Sequence, residues 1–282
     1  MGARVYFVDA FSSRVGEGNP AAVVVLGTNS FPAAALCQRI AFELGFAETA
    51  FVREAGELGR YDLKWYTPEQ EVDLCGHATL AAAFVVLRAD GRSACYGKTT
   101  VVFETLSGPL PVVADGDEFI LDFPSRPPVK HDAPDALWAG LRMDKSSATF
   151  VGKARDFLVV VETPEEVLAV RPDFSVLATV DALCVIVSAR AAEGDSFDVI
   201  SRVFCPGCGV PEDPVTGSAH CTIAPFWRSL LKRDRLVCRQ GSQRGGIVVC
   251  DLDEKGERVA LRGTAVLVLE GRLSEATGII GD

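Results

Sequence analysis

No apolar run in this chain of 282 residues approaches the roughly 20 residues that a membrane-spanning helix needs. The longest candidates, such as Thr79 to Leu87, stop well short and are bounded by charge. Basic residues are also short: 28 Lys and Arg against 38 Asp and Glu leave a formal charge of −10 with no basic cluster. Phosphate backbones are bound by grouped Lys and Arg, so nucleic acid is excluded as a partner. The N-terminus, MGARVYFVDAF, enters an alternating strand with no apolar h-region or cleavage site. It also lacks the Ser or Thr of a myristoylation signal. These absences predict a cytoplasmic, unprocessed chain with no membrane partner. Histidine is scarce, with only three in the chain, and no low-complexity segment interrupts it. The nine cysteines are odd in number and scattered through apolar segments (Cys37, Cys95, Cys184, Cys221, Cys238, Cys250), a pattern that predicts buried thiols in a reducing compartment.

What the chain does contain is a duplication. Cys75-Gly76-His77-Ala78-Thr79 opens CGHATLAAAFVV, and Thr216-Gly217-Ser218-Ala219-His220 opens TGSAHCTIAPFW. Similar strand-and-loop segments precede them, Lys64-Trp65-Tyr66-Thr67-Pro68 and Arg202-Val203-Phe204-Cys205-Pro206. A glycine at each helix start implies two similar half-domains, each presenting backbone N–H groups at a helix N-terminus. Two such ends facing one cleft would bind a carboxylate.

Alternation predicts strands at 3–9, 21–26, 50–52, 61–66, 100–104, 110–114 and 118–123 in the first half. In the second half it predicts strands at 157–161, 183–188, 197–204, 248–252, 258–261 and 265–270. Helices are expected from Pro32 to Gly45, from Gly76 to about Asp90 and from Gly217 to about Leu231. Mixed strands with one long helix per half predict an α+β fold of two pseudo-symmetric domains. The proline-dense stretch 124–134 reads as a linker between an N-terminal half, 1–123, and a C-terminal half, 135–273, with 274–282 as a possible completion of the first.

Several residues could carry chemistry. Glu48, in GFAETAFV, lies on the short connection between a helix and a strand. Its flanking Phe46, Ala47, Ala50 and Phe51 would desolvate the carboxyl and raise its pKa, as a proton-transferring acid/base requires; a solvated loop glutamate is the plain alternative. His77 stands one residue into its helix, where the dipole opposes protonation, and could equally be satisfied locally. Asp213 precedes the second helix and could cap it or face a ligand. Cys75 directly precedes the first helix, a place that lowers a thiol pKa. Its counterpart is Thr216, so a two-thiol mechanism is ruled out. His131, in the proline-dense stretch, reads as solvent-facing and His220 as a packed residue. Cys205-Pro206-Gly207-Cys208 has zinc-knuckle or redox spacing, but a second ligand pair is missing. No metal is expected.

The segments VDAFSSRVGEGNPAAVV, AETAFV, LCGHATLAAA, EDPVTGSAH, QRGG and AVLVLEG run through nearly the whole chain in order. In this the chain resembles the PhzF-like (phenazine biosynthesis-like) family, which shares the diaminopimelate epimerase fold. The resemblance implies two domains, each a barrel-like mixed sheet around a central helix, with the active site between them and a homodimer as the assembly. It implies that Glu48 is the general acid/base and that His77 and Asp213 orient the substrate. Asn19, in GNP, and the helix starts at Cys75, Gly76, Gly217 and Ser218 would line the pocket. The expected function is a cofactor-independent isomerase moving a proton on a small carboxylate. The alternatives are an epimerase or racemase using Glu48 with Cys75, or a noncatalytic binding protein with an inherited cleft.

Overall fold

The computed structural model describes residues 2–27 and 30–279; the side chain of Cys208 lies outside the described part. The chain divides into two compact units. The first holds the residues up to Asp122 and resumes at Arg262; the second is Phe123–Leu261.

The first unit begins with strands β1 (Arg4–Ala10) and β2 (Asn19–Val25), helix α1 (Ala34–Leu44) and strands β3 (Thr49–Glu54), β4 (Arg60–Tyr66) and β5 (Glu71–Val72). Helix α2 (Gly76–Phe84) and strands β6 (Thr100–Thr105), β7 (Gly108–Asp115) and β8 (Glu118–Pro124) follow. Strand β2 runs parallel to β3, β3 antiparallel to β4, and β4 parallel to β6. Helix α2 packs on β1, β2 and β3, and its residues from His77 to Ala83 are all buried. A helix apolar on every side belongs inside a structure, and the alanine run lets the surrounding strands approach it closely. The predicted continuation to Asp90 exists as a five-residue π-helical stretch, Val85–Ala89.

The second unit repeats this wiring. It contains β9 (Val129–Lys130), α3 (Asp135–Leu141), β10 (Ala148–Lys153), β11 (Phe157–Val161), α4 (Pro164–Ala169) and α5 (Phe174–Leu177). It continues with β12 (Val185–Arg190), β13 (Val199–Cys205), β14 (Val210–Asp213), α6 (Gly217–Leu231), β15 (Arg235–Gln240), β16 (Gly246–Leu252) and β17 (Arg258–Gly263), whose last residues belong to the first unit. Strand β11 is parallel to β12, β12 antiparallel to β13, and β13 parallel to β15. The fold is α+β, with a barrel-like mixed sheet and one long central helix in each repeat. The registers align residue for residue: Ala22 pairs Thr49 and Thr49 pairs Tyr66, as Phe157 pairs Val185 and Val185 pairs Phe204. Glu48 therefore corresponds to Cys184, Thr67 to Cys205, and Gly76 to Gly217.

Two boundary expectations are corrected. The first unit is completed from Arg262, not from 274, because β18 (Ala265–Arg272) pairs antiparallel with β1 along its whole length. Gly263 admits this return: a Cβ there would lie 2.3 Å from the Phe11 ring. Likewise 124–134 is no linker but part of the second unit. Strand β9 pairs with β10, and Arg126 N–H donates to the carbonyl of Cys221 at 2.8 Å. That carbonyl needs an outside donor because the residue four positions on, Pro225, is a proline inside α6 and has no N–H to give.

Candidate active site

The first unit brings three of the expected residues together. Helix α1 ends on Gly45, whose left-handed conformation (φ 70°) sends its N–H back to the Ala41 carbonyl. Phe46 then packs edge-on against Phe7, and Glu48 sits immediately before β3, where pairing with β2 begins. The Glu48 side chain is 19% exposed, and its Oε2 lies 3.4 Å from Nε2 of His77. On the other side of the ring, Nδ1 of His77 lies 3.5 Å from Sγ of Cys75. Both His77 and Cys75 are buried. Thr79 Oγ1 donates to the carbonyl of Cys75 at 2.6 Å and so fixes the entry to α2. Asn19, the first residue of β2, is fully buried and lies in the same unit.

Burial pushes the His77 pKa down to about 4, so the imidazole is neutral at physiological pH. The same holds for His220, also lowered to about 4. Its Nδ1 donates to the carbonyl of Thr216 at 2.8 Å, the bond Thr79 makes in the first repeat, and this leaves it a packing role. Because both values lie below the ordinary 6.5 of histidine, the unfolded chain takes up the extra protons as the pH drops from about 6.5 toward about 4. Stability is fully present above pH 6.5 and is lost as pH falls through the folded-state value, by on the order of 3 kcal/mol per histidine. Thermal unfolding followed from pH 7.5 to pH 4.5 should show the midpoint dropping steadily below pH 6.5; an unchanged midpoint would contradict the assignment.

The second unit holds Asp213, Gly217 and Ser218 at the start of α6. Asp213 Oδ2 accepts from Thr216 Oγ1 at 2.6 Å. The residues before both helices, Cys75 and Thr216, place no side-chain hydrogen bond on the first-turn N–H groups. Three residues that the sequence did not single out complete this arrangement. Gln240, fully buried at the end of β15, accepts from Thr216 N–H at 2.8 Å and donates to the Asp213 carbonyl at 2.6 Å. Arg155 donates from Nη2 to Ser218 Oγ at 2.9 Å and is held by Asp156, which is buried and also accepts from the Cys184 N–H. The repeat itself was the available signal: Arg155, Asp156 and Gln240 stand at strand ends aligned with those around Asn19 and Thr105.

Cys184 is not a free thiol, as expected from the sequence, but forms a disulfide with Cys205, their Cα atoms 4.4 Å apart. The antiparallel register explains it: Val185 pairs with Phe204, so the residues just outside that pair meet at the same end of the two strands. Spacing of 21 residues along the chain conceals this. Cys37, Cys75, Cys95, Cys221, Cys238 and Cys250 are buried and form no disulfide among the described residues. The Cys205-Cys208 spacing thus marks no shared site that the structure describes. His131 is exposed, as its loop position predicts. No helix among the described residues is long and apolar enough to cross a membrane.

A repeated mixed sheet around a central helix, with polar side chains gathered at each helix start, defines the diaminopimelate epimerase-like class of fold. Residues 8–271 match the phenazine biosynthesis-like protein family (PhzC-PhzF), and the chain belongs to that family. It is 41% identical to an uncharacterized isomerase of Pseudomonas aeruginosa over 97% of this chain and 99% of that one. A crystal structure of a PhzF-family phenazine biosynthesis protein from Enterococcus faecalis is 39% identical, covers 97% of this chain and 100% of its own, and superimposes with a TM-score of 0.88. A predicted epimerase from Pseudomonas aeruginosa shares the fold at a TM-score of 0.71 and 20% identity, covering 96% of this chain and 99% of its own.

Proposed function

We propose that this protein is an isomerase that moves a proton on a small carboxylate substrate without a cofactor, with Glu48 as the general acid/base. The observation that carries this reading is the contact between Glu48 and a buried, neutral His77 (3.4 Å) at the start of α2. A carboxylate takes a proton from carbon alpha or vinylogous to the substrate carboxylate and returns it elsewhere. The neutral imidazole beside it can donate or accept without adding a charge that would hold Glu48 ionised. The N–H groups at Gly76 and His77, on which the Cys75 side chain places no bond, suit the charge that accumulates on the carboxylate as the proton leaves. Asn19, Asp213, Gly217 and Ser218 contact the polar groups of the substrate in this reading, as their family positions imply. Relatives named isomerases support the class of reaction. A screen of small carboxylates for thermal stabilisation, followed by NMR of the hits in deuterated water, tests it: substrate C–H positions should exchange with solvent. Ligands that bind without exchanging would overturn it in favour of a binding protein.

A second reading has its own observation. Sγ of Cys75 lies 3.5 Å from Nδ1 of His77, close enough for the ring to assist a thiolate, as in an epimerase using Glu48 and Cys75 on opposite faces of one carbon. Thr216 at the matching place removes only the symmetric version. Cys75→Ala decides between them. Under the isomerase reading, turnover changes by less than about fivefold, whereas loss of the second base would cost roughly 10²-fold or more. The rate of solvent-proton incorporation measures either outcome.

A further inference from the structure

We infer that Cys75, His77 and Glu48 together form a binding site for a zinc-type divalent cation, one that blocks the site rather than serving it. No two of their three donor atoms are more than 4.8 Å apart. Bond lengths of about 2.3 Å to sulfur and 2.0–2.1 Å to nitrogen, at a tetrahedral angle, put a ligating sulfur and nitrogen about 3.6 Å from one another. Sγ of Cys75 and Nδ1 of His77 already stand at 3.5 Å. The Glu48 carboxylate, the most exposed of the three at 19%, stands 3.4 Å from the opposite ring nitrogen, Nε2, and supplies the third donor by turning about its side-chain bonds toward the Nδ1 side, with water at the fourth position.

The electrostatics select the charge of the ion. An N-terminal helix end disfavours cations, but a thiolate and a carboxylate bring two negative charges, and a divalent ion leaves the set neutral. Sulfur and imidazole donors favour zinc and cobalt over magnesium and calcium, which take oxygen ligands. Binding stands apart from the proposed reaction; inhibition rests on it, because the ion would occupy the lone pair with which Glu48 takes its proton.

The test uses the full chain. Cobalt(II) titration should give a sulfur-to-metal charge-transfer band and tetrahedral d–d bands, both abolished by equimolar zinc and untouched by a large excess of magnesium. Cys75→Ser should abolish the charge-transfer band. Glu48→Gln, which preserves the shape of a partly exposed side chain, should weaken binding at least tenfold with thermal stability retained. A band that persists in Cys75→Ser, or an affinity unchanged in Glu48→Gln, would overturn the site. If zinc binds as described yet leaves solvent-proton exchange on the substrate unaffected, the metal site stands and the role of Glu48 as proton carrier falls.

Discussion

Glu48→Gln is expected to lower proton exchange on the substrate by roughly 10² to 10⁴-fold, the span usual for a positioned general acid/base. At about 1.4 kcal/mol for each tenfold, this is on the order of 3–5 kcal/mol of transition-state stabilisation. The substitution isolates chemistry from architecture. Glutamine has the shape of glutamate and can hydrogen-bond His77, but it cannot carry a proton. Glu48 precedes the β2–β3 ladder and its side chain is partly exposed, so the sheet does not depend on its charge. The unfolding midpoint should therefore move little, with a change within about 0.5 kcal/mol as for other substitutions away from the core. Single-turnover NMR in deuterated water and a denaturant titration on the same preparation give both quantities. Near-wild-type exchange in this variant would remove Glu48 from the mechanism, whatever its stability.

The other large effect is one of stability. Gln240→Leu should cost on the order of 3–5 kcal/mol, because leucine fills the volume of glutamine but offers no amide. The buried Thr216 N–H and the partly buried Asp213 carbonyl would lose their partners, at about 1–3 kcal/mol for each buried group left unpaired. Thr216 Oγ1 would lose a weaker contact, 3.2 Å from Nε2 of Gln240. A domain of this size shifts by about 2–4 °C per kcal/mol, so a fall of roughly 10 °C in Tm is expected. Arg239→Gln, at the exposed neighbouring position, is the control and should shift little. If Gln240→Leu were as benign as the control, the start of α6 would be held by something other than this amide.

The contrast between these residues explains what the sequence could and could not disclose. Glycines at positions 76 and 217, alternation in the strands and a glutamate amid apolar neighbours are local signals, and the helices and most strands stand where those signals place them. Within the cluster, Cys75 and His77 were legible because they open a duplicated helix start, and Glu48 because it stands amid apolar neighbours. Gln240 matches its counterpart Thr105 only through strand registers; its task is set by the parallel pairing of β15 with β13, a long-range fact. The same is true of Asp156 beneath Arg155, and of Cys184 and Cys205. Proline density misled for a physical reason. Prolines break hydrogen-bonding patterns locally, yet Pro225 creates an acceptor that a distant segment, at Arg126, is needed to fill.

The pairing of β1 with β18 has a consequence for the order in which the protein is made. Residue 4 has no neighbour on one side until residue 272 has been synthesised, whereas everything the second unit needs lies in one uninterrupted span. On the ribosome the second repeat can close first, while the earlier-made half, bearing Glu48 and His77, waits with an open strand edge. Domains fold as units during synthesis, and unpaired edges are where misassembly starts. The half that carries the proposed chemistry is thus the last to be finished.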